Sequence, residues 1–447
     1  RLTYVLEKDV HRFQVDAVHE YFYNKSTRLE TNASGFISDN TTYKNLEIAE
    51  TQRISNRLTD ATLQSFLGRV NYSLFDKYLL TASVRTDGSS KFRKGNRWGV
   101  FPSGSVAWRV SEEGFLADNN TIDNLKLRLS YGVTGSQAIN ALATRSQPIL
   151  GVGVNYPLTG GSYFVGIAPS SRAANENLTW EETAQWNGGV DLGLWGSRVT
   201  LTIDAYKKHT YNLLLDRVFP EFVGPTIRAE NIGEVDNSGI EFILGLVAVD
   251  NDDLTITTDF TFSRNVNKVV ALVDDQDFLI KGDPYDNGIE VNPTRVEVGK
   301  PISTFRGYVF DGVYQLGEEA DAAVYGRVPG DAKYKDINED GAITTDDIVS
   351  IGDGNPDFTY GWNTTVNWKN FDLNLFFLGS QGNDIYNLLR ARMMGIGVSA
   401  YHASHADYNN RWSSENPSSI PATRDRTFMA STQFLENGSY FSLKNVS

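Results

Sequence analysis

The feature that most constrains this chain is a two-residue period in hydrophobicity that returns in run after run. Phe66, Gly68, Val70 and Tyr72 alternate with Leu67, Arg69 and Asn71. After a short break at Phe75-Asp76-Lys77, Tyr78, Leu80, Ala82 and Val84 alternate with Leu79, Thr81, Ser83 and Arg85. Successive side chains of a strand point to opposite faces, so each run reads as a strand and the pair as a hairpin. Residues 103–110, 125–129 and 199–206 repeat the pattern. Residues 240–248 and 254–262 predict a second hairpin across Asp250-Asn251-Asp252-Asp253, and 360–368 with 371–377 follow late in the chain. Strand-like runs extend from about residue 64 almost to the last residue. The off-phase residues include Arg69, Arg85, Lys126, Arg128 and Asp204. One apolar and one charged face over many strands suits an antiparallel barrel with a wet lumen. A β-sandwich, whose outer faces are also polar, stays open on this pattern alone.

Long polar stretches separate the strands: 135–177, 273–300, and a turn-rich, helix-permissive 390–430. Such loops are uncommon in compact domains and usually bind something or are disordered. Long loops alternating with short turns are what a membrane barrel has outside and inside. The 24 Phe, 21 Tyr and 8 Trp of the 447 residues often sit where the runs end. Tyr78, Trp98, Phe101, Trp108, Trp180, Trp186, Trp195, Tyr206, Tyr211, Trp362 and Trp368 are read as two interfacial girdles. No apolar run approaches the roughly 20 residues of a membrane helix, which says nothing against spanning strands.

Without Cys there is no disulfide framework and no thiolate metal site or nucleophile. A net charge of −14 argues against nucleic acid as a partner. No nucleophile and base have supporting context, so no enzyme is expected. The opening at Arg1 and the end at Ser447, inside an alternating run, suggest a piece of a longer protein.

Seven blocks carry a resemblance. They are Arg85-Thr86-Asp87-Gly88-Ser89-Ser90-Lys91-Phe92 within 81–92, and Trp98-Gly99-Val100-Phe101-Pro102-Ser103 within 98–109. Leu125-Lys126-Leu127-Arg128 leads to Ser130-Tyr131-Gly132-Val133-Thr134-Gly135-Ser136. Then come Asn177-Leu178-Thr179-Trp180-Glu181-Glu182-Thr183 with Gln185-Trp186-Asn187, Asn231-Ile232-Gly233-Glu234-Val235-Asp236-Asn237 within 231–241, Pro356-Asp357-Phe358-Thr359-Tyr360-Gly361, and Asn437-Gly438-Ser439-Tyr440-Phe441 within 437–445. In this order they resemble the SusC/RagA family of TonB-dependent outer-membrane transporters of Bacteroidetes. The resemblance implies an all-β fold, a transmembrane antiparallel β-barrel of 22 strands with long extracellular loops. Residues 1–447 would be its middle-to-late strands, without the plug domain and the final strands. It also implies import of oligosaccharides or peptides with a SusD-like surface lipoprotein, energised by the TonB–ExbB–ExbD complex through the missing N-terminal part, in contact with outer-membrane lipid. Lumen residues such as Arg69 and Arg128 would then face the plug. The alternative is a soluble or surface-exposed all-β carbohydrate-binding or adhesion module with a calcium loop.

No cofactor is required by either reading, but one loop has calcium spacing. Asp336, Asn338 and Asp340 occupy loop positions one, three and five, Gly341 the sharp turn, Ala342 the carbonyl position, Thr344 the ninth and Asp347 the twelfth. Asp347 stands where Glu is usual, and no helix pair flanks the loop. A bland reading is an acidic turn whose carboxylates cap backbone groups. Loop rings at Tyr156, Tyr163, Phe164, Tyr285 and Tyr401 are candidates to stack on substrate. His402 and His405, near Asp407, read as surface loop residues rather than metal ligands.

Overall fold

The structure, a computed structural model, describes residues 1–38, 44–116, 119–141, 143–145, 149–157, 163–168, 170, 172–219, 227–272, 277–280, 292–394, 406–422 and 429–447. Thirteen strands carry the fold. They are β1 (Leu2–Lys8), β2 (His11–Ser34), β3 (Thr51–Leu74), β4 (Tyr78–Ser89), β5 (Trp98–Arg109), β6 (Ile122–Ser136) and β7 (Glu181–Leu194). After these come β8 (Val199–Tyr211), β9 (Glu234–Asp250), β10 (Leu254–Ala271), β11 (Phe358–Trp368), β12 (Phe371–Gln381) and β13 (Tyr440–Val446). They hydrogen-bond in chain order within one sheet. Short connections alternate along the chain with long ones, 9–10 before 35–50, 75–77 before 90–97, and 369–370 before 382–439. The all-β reading therefore holds. The chain forms two compact units, Arg1–Ala107 with Ser130–Ala184 and Thr210–Ile232, and Trp108–Leu129 with Gln185–His209 and Gly233–Ser447.

In the first unit the register sorts side chains into rows. Thr3 lies opposite Asp16, Asp16 opposite Arg69, and Arg69 opposite Ser83; one step along, Tyr4, Val15, Val70 and Ala82 form the next row. The β3–β4 turn puts Phe75 and Asp76 at φ 54° and 55°, and the Lys77 N–H donates to the Leu74 carbonyl at 3.0 Å. Two left-handed central residues make the mirror-image turn whose twist matches the strands it joins.

β2 and β3 pair along their whole length, from His11 with Leu74 to Ser34 with Thr51, whereas β4 pairs only with Leu63–Leu74. The other dozen or so residues of each strand, about 40 Å at about 3.3 Å per residue, form a two-stranded ribbon. This corrects the onset of strand structure from about residue 64 to Leu2. The ribbon is exposed on both faces, and alternation is written into a sequence only where one face differs from the other. Tyr21-Phe22-Tyr23 breaks the period outright.

In the second unit the rows are aromatic. Phe242, Phe262, Tyr360, Gly379 and Phe441 lie side by side across β9–β13, and the next row on that face is Leu244, Phe260, Trp362, Phe377 and Leu443. Between them, on the other face, run Ile243, Thr261, Gly361, Leu378 and Ser442. The stretch expected as irregular loop at 273–300 contains strand segments. A small sheet is built from Phe278–Ile280, Thr294–Glu297, Thr304–Gly307 and Val349–Asp353. A short helix, Leu388–Met394, falls just before and into the helix-permissive stretch. Two apolar clusters hold these outer parts together, one around Tyr386, Met394 and Phe434, the other around Tyr308, Tyr334 and Ile348. The 135–177 stretch of the first unit likewise holds a hairpin, Ile149–Pro157 with Tyr163–Ala168.

Candidate functional site

The sheet's apolar rows are exposed. Val84 is 52% exposed, Phe371 70%, and Leu80, Phe66, Trp362 and Leu443 are exposed with them. A water-soluble fold buries such rows. On β4 the apolar face runs from Tyr78 to Gly88, where an added Cβ would strike the Trp98 ring. Ten residue steps cover about 33 Å of strand. A tilt of about 40° reduces that to about 25 Å, the height of a membrane barrel's apolar band. Of the rings read as girdles, Tyr78, Trp98, Trp195, Trp362 and Trp368 are exposed. In the second unit Trp362 stacks on Phe377 at 5.5 Å, Phe377 on Phe441 at 5.4 Å and Tyr360 on Phe441 at 5.8 Å. Trp180 and Phe101 do not belong to this set; both are buried in a loop core.

The opposite face is a wall of paired charges. The Arg128 guanidinium donates to both Asp191 oxygens, at 2.9 and 3.0 Å, and to both Asp204 oxygens, each at 3.0 Å. Thr202 Oγ1 donates to Asp191 at 3.3 Å. Gly189 leaves the room this fork needs, because a Cβ there would lie 2.7 Å from Arg128 Cζ. In the first unit Arg85 bonds Asp87, Ser65 and Glu20, and Asp16 accepts from Arg1, Thr3 and Gln14. Arg128 is thus engaged by two carboxylates of its own sheet. Neighbouring strands supply its partners, which run-by-run periodicity does not reveal.

Above β4–β6 of the first unit the connecting loops close over a core of Phe92, Phe101, Ala143, Leu178, Trp180 and Ala229. Trp180, 3% exposed, packs against Phe92 at 5.2 Å and Phe101 at 5.4 Å and donates from Nε1 to the Arg97 carbonyl at 3.0 Å. Lys91 Nζ donates to the Gln137 and Ile139 carbonyls, both at 3.0 Å; burial pushes its pKa down. Asn231 clasps Thr179, accepting from its N–H and donating to its carbonyl, each at 2.9 Å. The result is a packed, hydrogen-bonded platform.

The acidic loop lies in the second unit, between the Ala332–Tyr334 and Val349–Asp353 strands. Gly341 has φ +86° and Glu339 +58°. Asp336 accepts from the Gly341 N–H at 2.8 Å, Asp340 from the Ala342 N–H at 2.9 Å, and Asn338 from the Asp340 N–H at 3.2 Å. Asp347, fully buried, accepts from the Ile337 N–H at 2.7 Å and the Thr344 N–H at 2.8 Å. Burial raises its pKa, but the Thr344, Ile337 and Asn338 N–H groups outweigh burial and hold it below the usual value. Thr344 caps the short 3-10 turn Thr345–Asp347, and Ile343 and Ile348 anchor the loop in the Tyr308–Tyr334 cluster. The six spaced residues therefore share one folded loop, with Asp347 as its buried clasp. Among the described residues no group of three or more His, Asp or Glu is placed to hold a metal.

The candidate aromatic residues are less assembled. Tyr156 and Phe164 are cross-strand partners in the 149–168 hairpin, and Tyr163 pairs with Pro157. Tyr285, Tyr401, His402 and His405 lie outside the described residues.

A meandering sheet with an exposed apolar face, a charged face opposite and long folded loops is the pattern of an outer-membrane receptor's strands. The chain belongs to the TonB dependent receptor-like, beta-barrel family, which it matches over residues 4–377. It is 36% identical to TonB-dependent receptor P3 of Formosa agariphila over all of this chain and 44% of that protein. To TonB-dependent receptor SusC of Bacteroides thetaiotaomicron it is 32% identical over 87% of this chain and 38% of that one. The RagAB peptide transporter superposes with a TM-score of 0.81 at 23% identity, over 99% of this chain and 47% of that one, which shows a common fold. The chain spans less than half the length of these relatives. Receptors of this family carry solutes and do not transform them, so the absence of an enzymatic role rests on this membership.

Proposed function

We propose that the chain is the middle-to-late part of a 22-stranded barrel spanning the outer membrane, a single barrel domain over residues 1–447. The barrel imports oligosaccharides or peptides, working with a SusD-like surface lipoprotein and driven by TonB–ExbB–ExbD. The observation that carries this reading is the two-faced sheet, exposed apolar rows about 25 Å tall backed by the Arg128–Asp191–Asp204 wall. Paired charges suit a wet lumen, where an unpaired one would bind the passing solute too tightly to release it. Similarity to SusC and to the RagAB transporter supports the two solute classes and the lipoprotein partner. A free-standing carbohydrate-binding module would need something else to cover the apolar rows.

The test is uptake by cells. Labelled oligosaccharide and labelled oligopeptide are offered to cells carrying the gene, cells lacking it and cells lacking TonB. Uptake of one class that needs both genes is the expected result; equal uptake in all three would refute the reading. Affinity capture from outer membranes is expected to bring down a lipoprotein in equal amount.

Calcium at the 336–347 loop is a second, separate proposal. Each carboxylate oxygen has a lone pair beyond the one given to an N–H, and an extracellular loop of this spacing binds at roughly 10⁻⁴ to 10⁻³ M. Proteolytic protection of this loop by millimolar calcium, lost in Asp336→Ala/Asp340→Ala, is the expected outcome; no protection would refute it.

A further inference from the structure

We propose that Arg295 and Arg306, on one face of the small outer sheet of the second unit, form a binding site for an oxyanion. The class is carboxylate, sulfate or phosphate. Arg295 lies opposite Thr304, and Arg306 is two residues further along that strand, opposite Ser350. Arg295 Nη2 donates to Ser350 Oγ at 3.1 Å, so the two guanidinium groups share a face. Phe305, between Thr304 and Arg306, turns the other way into the Tyr386–Phe434 cluster.

Among the described residues the charges on this face do not balance. Glu297 pairs with Arg295 at 2.6 Å and accepts from Ser350 Oγ at 2.9 Å. Among the described residues no carboxylate pairs with Arg306, which is 8% exposed, and the Nε–H groups of both arginines are buried without an acceptor. A chain with 55 acidic residues does not lack carboxylates. A buried guanidinium cannot escape by losing its proton, because its pKa is too high. Burying a charge without a partner costs far more than a hydrogen bond returns. Among the described residues this face therefore holds two adjacent cations and one carboxylate, and burial together with the Arg295 charge pushes the Arg306 pKa down. The planar fork of arginine fits the paired oxygens of an oxyanion better than a spherical ion. The Phe278 ring, 5.5 Å from Arg295 Cζ, fixes the plane of that fork. The Arg306 N–H bond to the Pro293 carbonyl, at 2.8 Å, holds the strand beneath. The inference is independent of what the barrel transports.

Equilibrium dialysis of radiolabelled inorganic sulfate against the intact protein in detergent tests it. Wild type is expected to bind one sulfate saturably, and Arg306→Met to bind at least tenfold more weakly. Arg306→Lys keeps the charge but loses the fork; it is expected to fall between them and covers the case in which the Met variant does not fold. Without oxyanion, Arg306→Met is expected to melt no lower than wild type, since it removes an uncompensated cation. Competition by digalacturonate below the sulfate concentration would mean that the anion is carried on a sugar; competition only above it would mean a free ion. No saturable binding by wild type, or equal binding by wild type and Arg306→Met, would overturn the proposal.

Discussion

Two adjacent residues of β4 separate a membrane-spanning sheet from a water-exposed one. Val84 points to the apolar face and is half exposed; Ser83 points the other way and shares a hydrogen bond with Ser103 Oγ at 2.7 Å. Val84 is six residues from Tyr78 and four from Gly88, so it sits near mid-height of the apolar band. Lys or Arg on the lipid face of a barrel costs about 2–4 kcal/mol at the bilayer midplane, whereas a surface substitution in water is usually within about 0.5 kcal/mol. Val84→Arg is therefore expected to destabilise the protein in lipid vesicles by about 2–4 kcal/mol. Ser83→Arg, one residue away on the wet face, is expected to lose less than about 1 kcal/mol, mostly the Ser103 bond. Reversible urea unfolding in vesicles, followed by tryptophan fluorescence, measures both. Equal costs, or a larger cost at Ser83, would show that the apolar rows do not meet hydrocarbon.

The platform core predicts that Trp180→Ala costs about 3–5 kcal/mol, read as faster amide exchange in residues 89–97, 143–145 and 227–231, with Trp180→Phe near 1 kcal/mol for the lost indole bond to the Arg97 carbonyl, which keeps the Ser89 N–H as a donor. On the charged wall, Arg128→Met leaves Asp191 and Asp204 facing each other. Removing one partner of a fully buried pair costs more; about a quarter of each side chain is exposed here, so about 2 kcal/mol is expected. Asp191→Asn/Asp204→Asn added to Arg128→Met is expected to recover most of it in urea unfolding. Asp347 gives a pH dependence. Its folded pKa lies below the unfolded value of about 3.9, so its contribution is fully present above that pH and is lost as pH falls through the folded value. The 336–347 loop is expected to stay resistant to protease at pH 5 and to open as the pH is lowered through the folded value. Asp347→Asn is expected to be cleaved already at pH 5.

The strands legible in the sequence were those with one apolar and one polar face. The break at Phe75-Asp76-Lys77 became the β3–β4 turn, and residues 240–248 and 254–262 became β9 and β10. The ribbon of β2 and β3 was hidden because both of its faces are exposed and polar residues stand on each. The strand segments of 273–300 were hidden by their length, three or four residues, which is too short for a period to register. Among site residues, the acidic loop was visible because its ligand positions are close in sequence. Arg295 and Arg306 were not, because what sets them apart is one carboxylate, Glu297, for two guanidinium groups among the described residues, and partners are set by pairing across the sheet. Trp180 was placed in a girdle on its position before a strand; its contacts with Phe92 and Phe101 put it in a core instead.

The seven recognised blocks divide between positions that pair and positions that pack. In the first unit the 81–92 block gives Phe92, the 98–109 block Phe101, and the 177–183 block Leu178 and Trp180, all to one core. Asn231 of the next block ties itself to Thr179 by two hydrogen bonds. In the second unit the 356–361 and 437–445 blocks meet through Tyr360 and Phe441, and Gly382 passes the Asp357 side chain so closely that a Cβ would lie 2.2 Å from its carboxylate. The signature is therefore a set of long-range contacts at loop roots, where one wrong side chain would leave a buried carbonyl or a cavity. The strands need only alternation and can vary within it. The loops beyond the roots can then change without disturbing the wall.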